Sequence, residues 1–235
     1  MATLVLDIET AGENWEDIDK QTQTILLERT KRRNPTGDSS EDLAKDELGL
    51  SPYTAQIIVI GVIDVETNKG AVYFQAPKKT IKPWEANGIK YQTMSEKSIL
   101  EKFWELSERY NQFVTYNGRT FDLPFITIRS AINGIRPKKD LLRGRYLYQQ
   151  AQGATHIDLY DQLTYYGSFR FESGGSLHMA CRAFGISTPK EGALDGSYVS
   201  KFYNDKKYLE IVHYNARDLV ATAQLFVRWQ KLLAF

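Results

Sequence analysis

Residues 3–10 read TLVLDIET and decide the fold of this chain. The branched and aliphatic side chains at 3–7 predict a short buried strand that ends at carboxylates. Asp7 and Glu9 are two residues apart in this extended segment, so both side chains leave the same face of the strand. Carboxylates this close repel one another beside a hydrophobic core, and a divalent cation would compensate that cost. The stretch predicts a metal site at a strand end, with an acidic turn as the alternative.

The composition favours a single domain that spans residues 1–235. The 235 residues are 42% hydrophobic and 25% charged, which is enough to bury one substantial core. The net charge of +1 excludes a surface that binds nucleic acid by bulk electrostatics, so any phosphate contact must be local. Cys181 is the one cysteine, and no apolar run predicts export or membrane insertion. We expect a cytoplasmic protein without a membrane partner, in which Cys181 is a buried core residue.

The pattern of apolar residues predicts an α/β fold. The first three strands can form an antiparallel meander, and a helix over 95–110 between two later strands favours a parallel neighbour for the first strand. We expect a mixed five-stranded sheet flanked by helices, with strands at 3–7, 56–65, 71–75, 113–116 and 155–158. Further helices are expected at 122–135, 158–166, 176–184 and 206–233.

Residues 13–50 differ from the rest, because charged and amide side chains dominate them. They predict a helical insertion between the first two strands. A Pro-Thr-Gly sequence at 35–37 predicts a break within it, and a second short helix is expected to end at Gly49. A lid over a bound strand and a docking element for a partner protein are both open roles for this insertion.

Asp122 begins the predicted helix that follows the strand at 113–116. A lone Asp in this place would cap the helix by accepting from its first free amides. Asn117 and Phe121 put an amide and an aromatic ring beside it, a combination that suits a sugar edge and a terminal base. Capping and substrate chemistry therefore remain alternatives for Asp122.

Tyr214 and Asp218 are four residues apart in the predicted final helix, so they share one face of it. Residues 219–226 are largely apolar, and an unpaired carboxylate on such a face is expensive, although a surface pair would show the same spacing. His213 precedes Asp218 by five residues, and five residues rotate an unbroken helix by about 500°. We therefore expect Tyr214, and not His213, to lie beside Asp218.

Together these three motifs resemble those of the DEDD 3′–5′ exonuclease superfamily, which has a ribonuclease H-like fold. The sequence DIET at 7–10 resembles the first motif, NxxxFD at 117–122 the second, and YxxxD at 214–218 the third in its tyrosine version. Residues 156–159 and 176–185 resemble the segment between the second and third motifs in the proofreading domains of family B DNA polymerases and in similar stand-alone proteins. The resemblance covers nearly the whole chain outside 13–50.

The resemblance implies a metal-dependent exonuclease that acts on 3′ ends of single-stranded DNA and releases nucleoside 5′-monophosphates with two Mg²⁺ or Mn²⁺ ions. Tyr214 would orient the attacking water. The implied metal ligands are Asp7, Glu9, Asp122 and Asp218, and the implied substrate contacts are Thr10, Asn117 and Phe121. Three alternatives stay open: an RNA-trimming exoribonuclease similar to ribonuclease D, a structure-selective endonuclease, and a catalytically silent nucleic-acid-binding domain. The sequence does not identify any protein partner.

A basic and aromatic stretch follows the second motif. Lys and Arg side chains are frequent at 136–145, and tyrosines come after them at 146, 148, 165 and 166. These residues can guide a single strand and stack its bases, or they can form a solvated face and ordinary packing.

Overall fold

The computed structural model describes residues 2–34, 40–169, 175–187 and 198–234. Within these ranges one mixed sheet has the strand order β4-β5-β3-β2-β1-β6-β7. Its strands are β1 (Thr3–Gly12), β2 (Ala55–Asp64), β3 (Lys69–Phe74), β4 (Trp84–Ala86), β5 (Ile89–Thr93), β6 (Gln112–Thr115) and β7 (Thr155–Asp158). The helices are α1 (Lys20–Arg33), α2 (Ser40–Glu47), α3 (Glu96–Ser107), α4 (Asp122–Ile132), α5 (Leu159–Leu163), α6 (Leu177–Ala183), α7 (Val199–Asn204) and α8 (Tyr208–Leu232).

The strand pairing confirms the predicted topology. β1 pairs with β2 and β2 with β3 in antiparallel fashion, which is the expected meander. β6 lies parallel to β1 on its other side, and β7 lies parallel to β6. The carboxyl ends of β1, β6 and β7 therefore meet at one edge of the sheet, where the motif residues follow them.

The sheet has seven strands in the described part of the chain, so the predicted count of five was wrong. The missed strands β4 and β5 form a short antiparallel hairpin, and β5 lies parallel to β3. β4 has three residues, too few to show an alternating pattern. Its stability depends on packing, because Trp84 stacks on Tyr91 at 4.6 Å between ring centroids. Asn87 and Gly88 turn the hairpin with positive φ angles of 52° and 77°.

Two cores lie on opposite faces of the sheet. Leu4, Leu6 and Ile8 of β1 pack with α3 and α4, whereas Val5 packs on the face that α8 covers. Because strand side chains alternate, Asp7 and Glu9 fall on the α8 side. The long helix α8 thus lies over the two carboxylates, so its side chains can cover them or add a further ligand to the site.

A β-bulge interrupts the pairing of β1 and β2 directly after Glu9. Glu9 is opposite Val59, but Thr10 is opposite Ile57, so Ile58 is the extra residue on β2. Asp7 stays in register with Gly61 on the near side of the bulge.

Residues 13–50, the proposed insertion, are largely helical in their described part. They contain a 3-10 helix at Trp15–Asp17, α1, α2 and a second 3-10 helix at Leu48–Leu50, and the expected helix end at Gly49 falls within this last helix. The predicted break at 35–37 lies outside the described residues. The Thr10 hydroxyl donates to the Gly49 carbonyl at 2.7 Å and ties the insertion to β1.

The other predicted helices are present as α3, α4, α5, α6 and α8, while α7 was not expected. α8 runs unbroken through 25 residues, as the lack of Gly and Pro predicts. None of the helices in the described ranges is long and apolar enough to cross a membrane.

Candidate active site

Four carboxylates arrive from three elements. Asp7 and Glu9 come from β1, Asp122 from the start of α4, and Asp218 from α8. β6 pairs with β1 only as far as Val5, so the backbone amide of Ile8 has no strand partner on that side. It donates instead to Asp122 Oδ1 at 3.1 Å. Asp122 therefore takes the place of β6 at the edge of β1 and does not cap its own helix, whose N-cap is Phe121.

The loop that carries the second motif is held by Asp158 at the end of β7. The Asp158 carboxylate accepts from the backbone amides of Asn117 at 2.7 Å and Arg119 at 2.9 Å. Asn117 has a left-handed φ of 63°, and its side-chain oxygen accepts from the Thr120 hydroxyl at 2.9 Å. These bonds fix the turn that positions Asp122, because α4 begins with Asp122 two residues after Thr120.

Asn215 positions Asp7 from the overlying helix. Its Nδ2 donates to Asp7 Oδ2 at 2.7 Å, and the side chain is fully buried. Gly61 lies opposite Asp7 on β2, and a Cβ there would lie 2.1 Å from Asn215 Oδ1 and 2.2 Å from Leu219 Cδ1. Only glycine at position 61 allows α8 to approach the sheet closely enough for the Asn215–Asp7 bond.

The carboxylates act on one another electrostatically. Burial and then the charges of Asp122, Glu9 and Asp218 raise the pKa of Asp7 well above its ordinary value. Burial and the charges of Asp218 and Asp122 raise the pKa of Glu9 in the same way. Burial raises the pKa of Asp122 to about 7, with a contribution from the charge of Asp158, while the backbone amides of Asp122 and Ile8 oppose the shift. A cation placed among these groups would be stabilised by all of them.

Tyr214 faces this cluster. It is half-buried, and its pKa is raised well above the ordinary value by burial and by the charges of Asp218, Glu9 and Asp7. His213 is exposed and contacts the ring of Tyr91 edge-on, with 6.0 Å between ring centroids. The unbroken helix thus turns His213 away, as expected from the rotation of five residues.

A cavity of about 500 Å³ opens beside Glu9. Thr10 and Phe121 line it, and the insertion forms the facing wall with Asp46, Glu47, Gly49 and Leu50, next to Val199 and Ser200 of α7. The Thr10 hydroxyl is already bonded to Gly49 within the protein. Asn117 is exposed near Phe121 but does not line the cavity.

The fit of the site to a metal ion depends on its donor chemistry. In the described part of the chain, no three His, Cys, Asp or Glu side chains are arranged as a ready metal site. One oxygen of Asp7 is held by Asn215 and one oxygen of Asp122 by the amide of Ile8. The second oxygen of each carboxylate takes no part in these two bonds. An all-oxygen set in which the charges of Asp122 and Asp218 raise the pKa of Asp7 and Glu9 fits Mg²⁺ or Mn²⁺.

The supporting residues Asn215, Asp158 and Gly61 were not identified from the pattern. Asn215 belongs to the third motif, and a buried amide next to a carboxylate was a usable signal. Gly61 interrupts a strand of Ile and Val, which indicates a close backbone approach. Asp158 lies in the stretch 156–159 that resembles the segment between the second and third motifs, but only the folded chain shows which amides it accepts from.

Two other residues, Cys181 and His156, have structural roles. Cys181 is fully buried, and its pKa is raised to about 11 by burial first, with a contribution from the charge of Asp218. It is the expected core residue. His156 is buried within hydrogen-bond distance of the Thr115 hydroxyl, and burial lowers its pKa to about 3, with a contribution from Arg119. A neutral imidazole held in this way belongs to the packing of β7.

Comparisons with known proteins agree with this geometry. Residues 56–234 match the family described as a predicted 3′–5′ exonuclease related to the exonuclease domain of PolB. The fold resembles that of the family B DNA polymerase from the hyperthermophilic archaeon Pyrobaculum calidifontis, with a TM-score of 0.62 and 15% sequence identity. That match covers 97% of this chain and 24% of the polymerase, so the chain spans about a quarter of the polymerase's length. No curated protein matches. Because the family match covers most of its length, the chain belongs to the predicted 3′–5′ exonucleases related to the PolB exonuclease domain.

Proposed function

We propose that this chain hydrolyses phosphodiester bonds at the 3′ ends of single-stranded DNA and releases nucleoside 5′-monophosphates. One observation carries the proposal: carboxylates from β1, α4 and α8 lie close enough that the charges of Asp122 and Asp218 raise the pKa of Asp7 and Glu9, beside a cavity. Carboxylates that repel in this way are retained where a cation and a phosphate are to be held together. The family to which the chain belongs supports the same reaction class.

The proposed metal ligands are the four carboxylates. Asp7, Glu9 and Asp218 would hold one Mg²⁺ or Mn²⁺ ion, Asp7 would also reach a second ion, and Asp122 would act mainly through bound water. When bound, such ions supply positive charge that activates the attacking water and stabilises the leaving 3′ oxygen. Asn215 would keep Asp7 oriented toward the ions, because its amide donor fixes one carboxylate oxygen.

Tyr214 has a different role, in which it keeps its proton. Its raised pKa leaves the phenol neutral at physiological pH, so it cannot act as a general base there. A neutral phenol can still donate or accept one hydrogen bond. Tyr214 would therefore orient the attacking water and leave the proton to the carboxylates and solvent.

The cavity beside Glu9 would hold the last nucleoside of the strand. Phe121 offers a ring face for the base, and the exposed amide of Asn117 lies near enough in the chain to reach the sugar. Thr10 would contact the substrate through its backbone, since its hydroxyl is bonded to Gly49. The negative charges of Glu9 and Asp46 disfavour phosphate in this cavity. We expect it to take the uncharged nucleoside end.

The test uses single-stranded DNA and RNA labelled at the 5′ end, in Mg²⁺, Mn²⁺ or EDTA, with products resolved by length. We expect a metal-dependent ladder that shrinks from the 3′ end. Asp7→Ala and Asp218→Ala should abolish it. Glu210→Gln is the matched control, because it removes an exposed carboxylate from the first turn of the same helix, α8.

The alternatives give different results in this assay. Faster cleavage of RNA would assign the chain to RNA trimming, and internal cuts would identify an endonuclease. Retained strand binding without cleavage under either metal would leave a nucleic-acid-binding domain and overturn the proposal.

A further inference from the structure

Three tyrosine rings form a stepped surface that the catalytic proposal does not use. Tyr146 stacks on Tyr148 with ring centroids 5.8 Å apart and planes 9° apart, and it meets Tyr166 edge-on at 4.7 Å. The outermost ring, Tyr148, is 83% exposed, whereas Tyr166 is half-buried. We call Tyr146, Tyr148 and Tyr166 the tyrosine stair.

The tyrosine stair is held rigidly from below. Arg145 makes a two-pronged pair with the buried Asp161, at 2.6 Å from Nη2 and 3.2 Å from Nε. Gly144 has a φ of 65°, and a Cβ there would lie 2.6 Å from Gln149 Cβ. The backbone that displays Tyr146 and Tyr148 is therefore closely packed, which lowers the cost of ordering this segment when a ligand binds.

The inner step is held in a strained backbone. Tyr165 and Tyr166 both have positive φ angles, 48° and 58°, which are costly for side chains with a Cβ. Gln162 Nε2 donates to the Tyr166 hydroxyl at 2.8 Å and fixes that ring. Backbone strain of this kind persists where the surrounding structure requires it, and it is concentrated at functional sites.

The tyrosine stair is physically connected to the candidate active site. Arg119, in the second motif, donates from Nη2 to the Leu142 carbonyl at 2.6 Å. Tyr146 is four residues beyond Leu142, a span of at most about 14 Å. Asp161, which pairs with Arg145, lies on α5. This helix directly follows Asp158, whose carboxylate holds the loop of the second motif. The loop that delivers Asp122 and the tyrosine stair therefore share their supports.

The stretch that leads into the tyrosine stair carries exposed cations, although the chain as a whole is nearly neutral. Residues 136–145 contain five Lys or Arg and one Asp. Two of these cations are paired with carboxylates outside the stretch, Lys138 with Glu108 at 3.0 Å and Arg145 with Asp161 at 2.6 Å. Lys139 is used internally, because it donates to the carbonyls of Tyr110 and Gly153. Arg136 and Arg143 are exposed. This local charge complements a phosphodiester backbone.

We propose that the tyrosine stair is a docking surface for single-stranded nucleic acid, on which bases upstream of the 3′-terminal nucleotide stack. This inference rests on the proposed exonuclease function and extends it to the strand outside the cleavage site. Aromatic faces beside exposed cations are the combination that binds single strands without sequence preference. A strand seated there would enter the site with its 3′ end leading.

The test measures binding and cleavage separately. Fluorescence anisotropy is recorded for labelled oligothymidylates of about 12 and about 4 nucleotides, in an Asp7→Asn background that cannot cleave. We expect Tyr148→Ala to weaken binding of the longer strand about tenfold and to leave the shorter strand unaffected. Tyr148→Phe keeps the ring face and should bind like the parent. Val227→Ala, 49% exposed on α8, controls for loss of an exposed apolar side chain.

Cleavage with Asp7 intact adds a second measurement. Tyr148→Ala should raise KM for the longer strand about tenfold while kcat stays unchanged. Unchanged binding of the longer strand by Tyr148→Ala would overturn the inference, and so would equal losses in Tyr148→Ala and Tyr148→Phe. If the parent protein cleaves nothing, the proposed function fails, but the anisotropy series still decides whether the tyrosine stair binds a strand.

Discussion

Two groups of acidic side chains lie near β1 and β2, and their surroundings are opposite. Glu96 is buried and accepts from the amide of Ile57 at 2.8 Å, from Arg129 at 2.8 Å and 2.7 Å, and from Asn133 at 3.1 Å. Asp7 is surrounded by carboxylates and has one amide donor, Asn215. Both acids are enclosed by the protein, so burial does not distinguish a structural carboxylate from a proposed metal ligand. The sign of the neighbouring charges distinguishes them, because Glu96 lies beside a cation and Asp7 lies beside other carboxylates.

The charges beside each acid determine whether it raises or lowers the free energy of unfolding. Breaking a buried ion pair leaves one charge without compensation and costs about 3–5 kcal/mol. Removing a charge from a cluster of like charges relieves repulsion instead. The Glu96–Arg129 pair therefore stabilises the fold, while the carboxylate cluster lowers the stability of the metal-free protein in exchange for a cation site.

The largest expected effect comes from neutralising one member of each group. Asp7→Asn should lower kcat at least about a thousandfold, because it removes a proposed ligand of both ions, and should leave the metal-free free energy of unfolding unchanged or higher. Glu96→Gln should lower the free energy of unfolding by about 3 kcal/mol and spare kcat per folded molecule. Urea unfolding and single-turnover cleavage measure the two quantities.

A result in which both variants lose stability equally would break the comparison. It would mean that Asp7 is part of the framework in the same sense as Glu96. The Glu210→Gln control on α8 should change neither quantity.

A smaller effect is expected from Asn215→Ala. The Asn215 amide orients Asp7 from a distance of 2.7 Å, and loss of such a supporting bond commonly weakens metal binding about 10- to 100-fold. Calorimetric titration with Mn²⁺ measures this directly, apart from any activity. At saturating metal most of the activity should return, because the proposed ligands themselves are intact. Unaltered Mn²⁺ affinity would show that Asn215 only fills space over Gly61.

The smallest effect is a pH dependence of stability. The pKa values of Asp7, Glu9 and Asp122 are raised in the folded chain, so the folded state binds more protons than the unfolded state between their ordinary values and the raised ones. The stability that these protonated carboxyl groups contribute is therefore fully present below about pH 4. It is lost as the pH rises through the pKa values of the folded state, about 7 for Asp122. Each unit of pKa difference is worth about 1.4 kcal/mol.

Thermal unfolding in EDTA should thus show a lower midpoint near pH 8 than near pH 5, by several degrees. Mg²⁺ should raise the midpoint more at the higher pH, where the carboxylates are ionised. In Asp7→Asn, which has one like charge fewer, both differences should shrink. A midpoint that Mg²⁺ raises equally at both pH values would place the metal elsewhere.

Local spacing predicted the parts of the site that lie within one element. The period of two put Asp7 and Glu9 on one strand face, and the period of 3.6 brought Tyr214 to Asp218 while His213 contacts Tyr91. These relations need no knowledge of the rest of the chain.

Contacts between distant elements could not be predicted in the same way. Asn215 and Asp7 are 208 residues apart, and the amide of Ile8 is 114 residues from Asp122. The hairpin of β4 and β5 depends on Trp84 stacking against Tyr91, a tertiary contact that overrides weak local signals. The sequence therefore did not predict the hydrogen bonds that hold the carboxylates in place, nor the strands β4 and β5 at one edge of the sheet.

The bulge at Ile58 makes the insertion separable from the strand that it follows. β1 and β2 lead into and out of residues 13–50, and the extra residue on β2 shifts their register beyond Glu9 while Asp7 stays opposite Gly61. We expect a change in insertion length to be absorbed on the far side of that shift. We expect segments of different length to be tolerated between β1 and β2 while Asp7 and Glu9 keep their places. The cavity wall at Asp46, Glu47, Gly49 and Leu50 would change with such a segment, so its length would alter what the cavity holds.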